Sequence, residues 1–481
     1  MPVLLISTYD LGRQPFGLAS GVAALEAAGV RASCVDLSRE RLRDDDVRAA
    51  SVIGFFLPMH TATRLALPVI DRVRALNPAA VLVAFGLYAP LNARLLRDRG
   101  VGEIIGGEFE DALAAAAVKG CATEVEAGLK ACATKSGAAT DVAQAFRPAG
   151  VGCATTHVAH GFSPARVDRV RFLLPQRASL PALDRYASLQ WGSERRIAGY
   201  TEASRGCKHL CRHCPIVPVY NGTFRVVPPD VVLGDIRQQV AAGARHISFG
   251  DPDFFNGPRH AAEVVRRLAA HCPGISYDVT IKVEHLIRHR DLLPLLRDTG
   301  CAFVTSAVES IDDAVLARLD KGHTAADFET AVSLCRAAGL VLSPTFVAFT
   351  PWTTTEGYRA LLQTIDRLDL VDQVAPIQLA IRLLIPEGSR LLELEDVRAM
   401  ATAFDDRSLT YRWRHQDPAV DQLQETIAAL VGRRLNAPRR ELFDEIWAVA
   451  HGAATQSVAR VPHPGLLPRA AVPYLNEPWY C

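Results

Sequence analysis

Two long stretches of this 481-residue chain alternate short apolar runs with amphipathic segments of helical period, and this alternation constrains the fold more than any other feature. Repeated along a chain, run-then-helix order builds parallel sheets, because each strand must return to the same end through a helical crossover. In residues 1–117 the runs are Val3–Ser7, Val30–Val35, Ser51–Leu57, Ala80–Phe85 and Val101–Ile105, with helical periods such as Leu65–Leu76 between them. An α/β fold is expected there, a doubly wound parallel sheet with helices on both faces. In residues 195–390 the strand candidates are Ile197–Glu202, His246–Gly250, Ser276–Ile281, Ala302–Val308, Val341–Phe349 and Pro376–Leu384. Helical segments such as Pro229–Ala242 and Ala325–Ala338 separate them.

Residues 118–194 break the pattern. Cys121-Ala-Thr123, Cys132-Ala-Thr134 and Cys153-Ala-Thr155 repeat in an Ala-, Thr- and Gly-rich stretch without an apolar period, which reads as a low-complexity insertion and linker. The long, uneven spacings give those cysteines no ligand geometry. The formal net charge of +1 provides no basic excess for a phosphate backbone, so no nucleic-acid partner is expected. Met1-Pro-Val-Leu-Leu-Ile-Ser7 lacks a basic signal-peptide region, and no apolar run reaches about 18 residues, so no membrane span is expected and the location reads as cytoplasmic. The 11 cysteines then read mostly as free thiols or metal ligands.

Three of those cysteines carry the chemistry. Cys207, Cys211 and Cys214 form a C-x3-C-x2-C triplet in Glu202-Ala-Ser-Arg-Gly-Cys-Lys-His-Leu-Cys-Arg-His-Cys-Pro215, just after an apolar run. Three thiolates on one short loop can hold three irons of a [4Fe-4S] cube and leave the fourth iron open to a substrate. A structural zinc site wants a fourth Cys or His at suitable spacing, and His209 and His213 sit too close inside the loop to complete one. Three loop thiols also cannot all pair with one another as disulfides.

With this triplet the chain resembles the radical S-adenosylmethionine (SAM) superfamily, in which SAM chelates the open iron and is cleaved reductively to a carbon radical. The resemblance implies a partial (β/α)6 barrel over 195–390, a [4Fe-4S] cluster and SAM as cofactors, and an electron donor such as flavodoxin or ferredoxin. Residues 1–117 resemble the cobalamin-binding domain that precedes the barrel in many members. Members that ligate cobalt from below carry Asp-x-His-x-x-Gly, whereas Tyr9–Gly17 has Asp10 and no histidine. Gly86 opens a loop where such domains pass close to the corrin, and cobalamin stays open as a third cofactor.

Catalytic residues of parallel barrels gather at the C-terminal ends of the strands. After the second strand, Gly250-Asp251-Pro252-Asp253 replaces the Gly-Gly-Glu common in the superfamily, and the resemblance assigns Gly250 and Asp251 to the SAM ammonium. Glu309 and Ser310 match a Glu-Ser pair that lies near the ribose or methionine of SAM in cobalamin-type members. Lys282, Glu284 and His285 follow the third strand, and strand alternation would put Lys282, Glu284 and Leu286 on one face. Arg382, inside the apolar run of the sixth strand, is a candidate for a SAM or substrate carboxylate, against a salt bridge to a neighbour. His213 occupies a place that is usually aromatic and packs near the adenine.

Residues 391–460 read as helices, with Trp413 and Trp447 packed against the barrel. Residues 461–481 contain five prolines and end in Trp479-Tyr480-Cys481, an extended tail whose terminal aromatics imply docking over the barrel mouth. Tyr200–Pro258 is also similar to the radical SAM family named for a Cys-Sec-Ala-Glu-Pro or Cys-Cys-Ala-Glu-Pro tail. That resemblance implies that the stop after Cys481 is a selenocysteine codon and makes Cys481 a candidate catalytic thiol beside a selenol. The expected function is a radical SAM enzyme acting on a small-molecule substrate. A cobalamin-dependent methylase and a non-catalytic iron-sulfur or metalloid sensor are the alternatives, and which C–S bond of SAM breaks is left open.

Overall fold

The computed structural model describes residues 3–120, 170–452 and 469–476. The three Cys-Ala-Thr repeats and Cys481 lie outside the described residues.

The first sheet has five parallel strands in the order β2-β1-β3-β4-β5: β1 (Val3–Ser7), β2 (Ala32–Asp36), β3 (Val52–Phe56), β4 (Val81–Phe85) and β5 (Glu103–Ile105). β1 and β3 are buried along their whole length, as strands covered on both faces must be. Helix Phe16–Ala27 packs Leu18, Val22 and Leu25 on one face, and helix His60–Leu76 packs Ala66, Ile70 and Val73 on the other. This is the expected doubly wound sheet.

The second sheet runs in the order β13-β12-β11-β10-β7-β6-β16. β6 (Ser188–Trp191) and β7 (Glu194–Thr201) form an antiparallel hairpin, and β10 (His246–Phe249), β11 (Ser276–Thr280), β12 (Cys301–Glu309) and β13 (Leu342–Phe346) follow β7 in parallel. Helices Pro229–Ala241, Pro258–His271 and Ala325–Ala337 cover it, with Ile236, Val265, Val332, Tyr277 and Phe346 in one continuous core. The expected sixth strand does not form. Pro376–Leu379 is a 3-10 turn, and only Arg382 bridges Phe349 in parallel. Pro376, without an N–H, suits the first turn of that helix and cannot donate to a ladder. The third strand also ends at Thr280 and Val283–Arg288 is helical, so Lys282, Glu284 and Leu286 do not share a strand face.

Two short strands, β14 (Phe404–Asp405) and β15 (Thr410–Tyr411), precede the helices Pro418–Arg433 and Arg439–Ala450, whose Ile427, Val431, Leu442 and Ile446 join the barrel core. The described part of the tail docks as β16 (Tyr474–Asn476), antiparallel to β6. It therefore runs in the same sense as β7, toward the end of the sheet that carries the cysteine loop. No helix of the described residues is long and apolar enough to cross a membrane.

Two buried arginines join the domains. Arg177 bonds both oxygens of Asp235 at 2.7 and 2.8 Å, Gln14 Oε1 at 2.7 Å and the Tyr200 carbonyl at 2.7 Å. Arg205 holds Glu110 at 2.7 Å and Glu202 at 2.7 Å, and Glu110 also accepts from Ser20 Oγ at 2.5 Å. Beside them lies Asp10, half-buried. Burial, with Glu202 and Asp36 adding to it and Arg13 only partly offsetting it, pushes its carboxyl up to about 7.

A folded-state pKa above the ordinary 3.8 means that the native chain holds the Asp10 proton more tightly than the unfolded chain. Stability is then lost as pH rises through about 7. Asp10→Asn is expected to raise the urea midpoint relative to the parent, and to raise it more at about pH 8 than at about pH 5, because the loss accumulates between 3.8 and about 7. Parallel denaturation curves check this, and equal shifts at both pH values would contradict it.

Candidate functional site

The cysteine loop has a built base. β8 (Ser204–Gly206) and β9 (Phe224–Val226) pair antiparallel and close residues 207–223 between them. Gly206 makes the turn into Cys207 at φ +73°, and a Cβ there would sit 2.2 Å from the Thr223 carbonyl oxygen, so only glycine fits. The barrel rim then ties the loop down. Lys208 Nζ donates to the Asn256 carbonyl at 2.7 Å, Arg212 N to Leu319 O at 2.9 Å and Arg390 Nη1 to Leu210 O at 2.7 Å. Cys207 and Cys211 are buried, Cys214 is half-buried, and all three are free thiols.

Burial pushes the Cys207 thiol up and the Cys214 thiol up to about 12. Without a metal these are neutral thiols at pH 7, and a cationic centre is what makes their thiolates favourable. The surroundings fit such a centre. Asn256 lies beside Cys207, and its buried Nδ2 has no hydrogen-bond partner among the described residues, leaving a donor for a sulfur acceptor. Lys282 Nζ lies 4.0 Å from Cys211 Sγ, and the buried Lys321 acts on both Cys211 and Cys214. The donor set therefore suits an iron-sulfur cluster held by three cysteines, as the spacing implied.

Glu309 closes the other side. It ends β12 at a register shift after Ala307 and takes φ +69°, a left-handed conformation that costs a non-glycine residue about 1–3 kcal/mol. Its Oε1 meets Lys321 Nζ at 3.3 Å and His213 Nε2 at 3.1 Å, and neither contact uses Oε2. Burial alone would push this carboxyl up, but the Lys321 and His213 charges more than offset it and hold it at about 2. His323 is pulled down to about 4 by burial and by the Lys321 and Lys282 charges, and its Nε2 lies 3.2 Å from the Val308 carbonyl.

The structure thus brings Cys207, Cys211, Cys214, Lys282, His213 and Glu309 together. Ser310 stands next to Glu309, where its Oγ accepts from Asp312 N at 3.0 Å. Two assigned residues are turned elsewhere. Asp251 points into the β7–β8 connection, where it accepts from Ala203 N at 3.0 Å and from Ser204 Oγ, and burial raises its carboxyl to about 7; it braces the strand leading to the loop instead of standing open at the mouth. Gly250 is fixed by Tyr200, whose hydroxyl would lie 1.8 Å from any Cβ. Arg382 spends its guanidinium on Asp421 at 2.7 Å, on the Trp413 carbonyl at 2.7 Å and over the Trp413 ring at 3.6 Å, the salt-bridge alternative.

Sequence reading missed Lys321, His323, Asn256 and Asp253. Lys321 and His323 flank Gly322 in a short polar turn between helices Asp313–Leu319 and Ala325–Ala337, and that turn was the available signal. Asp253, fully buried, lies between His209 at 3.6 Å and His285 at 2.6 Å. The N-terminal domain reaches the same place. Burial and then the charge of nearby Cys214 raise the Tyr88 hydroxyl, and a Cβ on Gly106 would meet Pro90 and Val219.

Comparison with known proteins agrees with this geometry. Residues 201–364 match the model of the radical SAM superfamily. A tRNA-2-methylthio-N(6)-dimethylallyladenosine synthase of Haemophilus influenzae is 24% identical over 203 residues, 40% of this chain and 42% of that protein. The chain thus spans about two-fifths of the length of the first curated relatives it matches. Among solved structures, the cobalamin-dependent SAM radical enzyme OxsB with aqua-cobalamin bound superposes with a TM-score of 0.62 at 12% identity, over 94% of this chain and 71% of that one. The radical SAM methyltransferase TsrM from Kitasatospora setae, with tryptophan and a SAM analogue, gives 0.58 at 19% identity, over 84% and 77%. The likeness to these two structures shows the fold, a doubly wound parallel sheet followed by a partial barrel.

Replacing Lys321 by Met leaves Glu309 buried beside His213 with its main counter-charge gone, which is expected to cost about 3–5 kcal/mol. In the double variant Lys321→Met with Glu309→Gln, most of that loss should return, as a double-mutant cycle by chemical denaturation measures. Additive losses would mean that the two side chains are not coupled.

Proposed function

We propose, starting from the radical SAM domain that residues 201–364 carry, that this chain is an enzyme that cleaves SAM reductively and directs the resulting radical to a small-molecule substrate. The observation that carries the reading is the convergence of Cys207, Cys211 and Cys214 on one rim-anchored loop, with Lys282, Lys321, His213 and Glu309 set against them. Cys207, Cys211 and Cys214 would hold a [4Fe-4S] cluster, and the bound cluster with SAM supplies one-electron cleavage of a C–S bond.

The remaining work falls to the chain's own groups. Glu309 stays ionised across the physiological range and, with Oε2 outside its contacts to Lys321 and His213, can accept from an ammonium or ribose hydroxyl beside the loop. Ser310 adds a hydroxyl next to it. Lys282 and Lys321 place positive charge close to the thiolates, which favours a reduced, more negative centre over bulk solvent. Burial of Cys207 and Cys211 excludes water from the radical-forming side. An electron donor such as flavodoxin or ferredoxin is required for turnover. Although the named relatives modify tRNA, the absence of basic excess in this chain favours a small substrate over a polynucleotide.

A cobalamin-dependent radical SAM methylase is the second reading, favoured by one observation. The loops following β4 and β5, with Tyr88, Pro90 and Gly106, abut the cysteine loop at Cys214 and Val219. Loops at the carboxyl ends of parallel strands are where such sheets bind ligands. Tyr9–Gly17 contains no histidine, so that loop supplies cobalt no axial imidazole. Gly86, at φ +106°, answers to its own backbone, because a Cβ would lie 3.0 Å from the Leu57 carbonyl oxygen.

Anaerobic reconstitution with iron and sulfide should give about four irons per chain, lost in the Cys207→Ala, Cys211→Ala, Cys214→Ala variant. With reductant and SAM, mass spectrometry should detect 5'-deoxyadenosine or 5'-methylthioadenosine from the intact chain alone, and the product tells which bond breaks. Intact SAM beside a spectroscopically confirmed cluster would favour the sensor alternative. A corrin spectrum that co-elutes with the protein after incubation with cobalamin would favour the methylase.

A further inference from the structure

Beside the cysteine loop lies a second donor set that the SAM chemistry does not use. His209, Asp253 and His285 each present one ligand atom, and these atoms lie within 4.8 Å of one another. They come from three elements: His209 from the cysteine loop, Asp253 from the segment after β10, and His285 from helix Val283–Arg288 after β11. Asp253 is fully buried and His285 is 5% exposed. Polar atoms this deep are normally paired. Here Asp253 Oδ2, His285 Nδ1 and His209 Nε2 have no hydrogen-bond partner among the described residues. His285 Nδ1 lies only 2.6 Å from Asp253 Oδ2, yet the contact is not aligned as a hydrogen bond, so proximity without pairing is the feature to explain.

A metal ion explains it. Two imidazoles and one carboxylate are a donor set for first-row divalent ions, with bonds of about 2.0–2.2 Å. Metal-binding histidines usually hand their other nitrogen to a carboxylate, and His209 has one nearby, at a distance longer than a hydrogen bond. His209 Nδ1 lies 3.9 Å from Glu284 Oε2, on the side of the ring away from Asp253, and Glu284 is itself held by Lys282 and Arg288. The donors differ in kind from the three thiols. Soft thiolates select an iron-sulfur centre, and imidazole with carboxylate selects a harder ion, so the two sites need not compete for one metal.

We propose that His209, Asp253 and His285 bind a single divalent first-row transition-metal ion, of the zinc or iron(II) class, distinct from the cysteine-bound centre, and that this ion pins the cysteine loop to the ends of β10 and β11. The proposal does not depend on SAM being the co-substrate.

The test separates the two metals. In the full-length chain with Cys207→Ala, Cys211→Ala and Cys214→Ala, added Co2+ has no loop thiolates to bind. It is expected to bind at about one equivalent, with weak d–d bands, no sulfur-to-cobalt charge transfer at the loop, and displacement by Zn2+. Adding Asp253→Asn, which keeps an acceptor for the Phe255 N–H, or His285→Gln should weaken Co2+ binding more than about tenfold while circular dichroism stays native. In the otherwise unmodified chain with its cluster reconstituted, incubation with Zn2+ and desalting should leave about one zinc beyond the iron, and Asp253→Asn should lose that zinc while keeping the cluster absorbance. No stoichiometric Co2+ in the triple-alanine variant would overturn the proposal. So would equal affinity in natively folded Asp253→Asn and His285→Gln variants. Paired Zn2+ and Fe2+ competition against Co2+ assigns the class of ion.

Discussion

Arg205 is the interaction on which the arrangement turns. It sits in β8, two residues before Cys207, and its guanidinium is buried between Glu110 of the N-terminal domain and Glu202 of the barrel, with the Phe16, Phe109 and Phe172 rings at 5.7, 5.5 and 5.3 Å. A buried ion pair is not by itself a large source of stability, because desolvation offsets most of its attraction. Its effect is on specificity. Removing either partner strands a charge in the interior, so the two domains and the cysteine loop are held in one relative placement. Arg177 repeats the device with Asp235 and Gln14, and Glu110 is kept ionised despite burial by Arg205 and Ser20.

From that anchor the site is assembled by constraint more than by contact. Gly206 permits the turn that Thr223 would deny any other residue, and the β8–β9 ribbon then presents the cysteines at the mouth of the sheet. Glu309 is held in a left-handed conformation at the β12 irregularity, and its buried charge is compensated by Lys321 and His213. Strain at one residue is tolerated because the fixed charges around it leave no lower-energy alternative.

Most of the architecture was legible in the sequence because parallel strands buried on both faces read as near-continuous apolar runs, and Val3–Ser7, Ser51–Leu57 and Ala80–Phe85 are such runs. The sixth strand failed for a local reason. The apolar run Ile377–Ile385 begins after Pro376 and bends as a 3-10 turn, and apolar content alone does not distinguish a strand from a buried turn. The cysteine triplet was legible from spacing. Lys321 and Asp253 were not, because their roles depend on which strand ends meet in space, and two strands, β11 and β12, separate Asp253 from Lys321 along the chain. Asp251 and Arg382 show the converse: a charged residue at a strand end has the right address for a ligand, but Ser204 and Ala203 claim the first and Asp421 and Trp413 the second.

The two parallel sheets share one consequence of their geometry. Each places its crossover loops at the carboxyl ends of its strands, and here both sets converge on residues 207–223. The first sheet changes strand order between β1 and β3, and the loop that leaves β1 there, with Asp10 and Phe16, is consumed by the interface with Tyr200. Its remaining ends, after β4 and β5, supply Tyr88, Pro90 and Gly106 against Cys214 and Val219. Of these three residues only Tyr88 has a polar side chain, and burial, with the charge of nearby Cys214, raises its hydroxyl, so it stays protonated. The N-terminal domain therefore contributes a wall and one hydroxyl to the cysteine side of the site, while the titratable chemistry comes from the ends of the barrel strands.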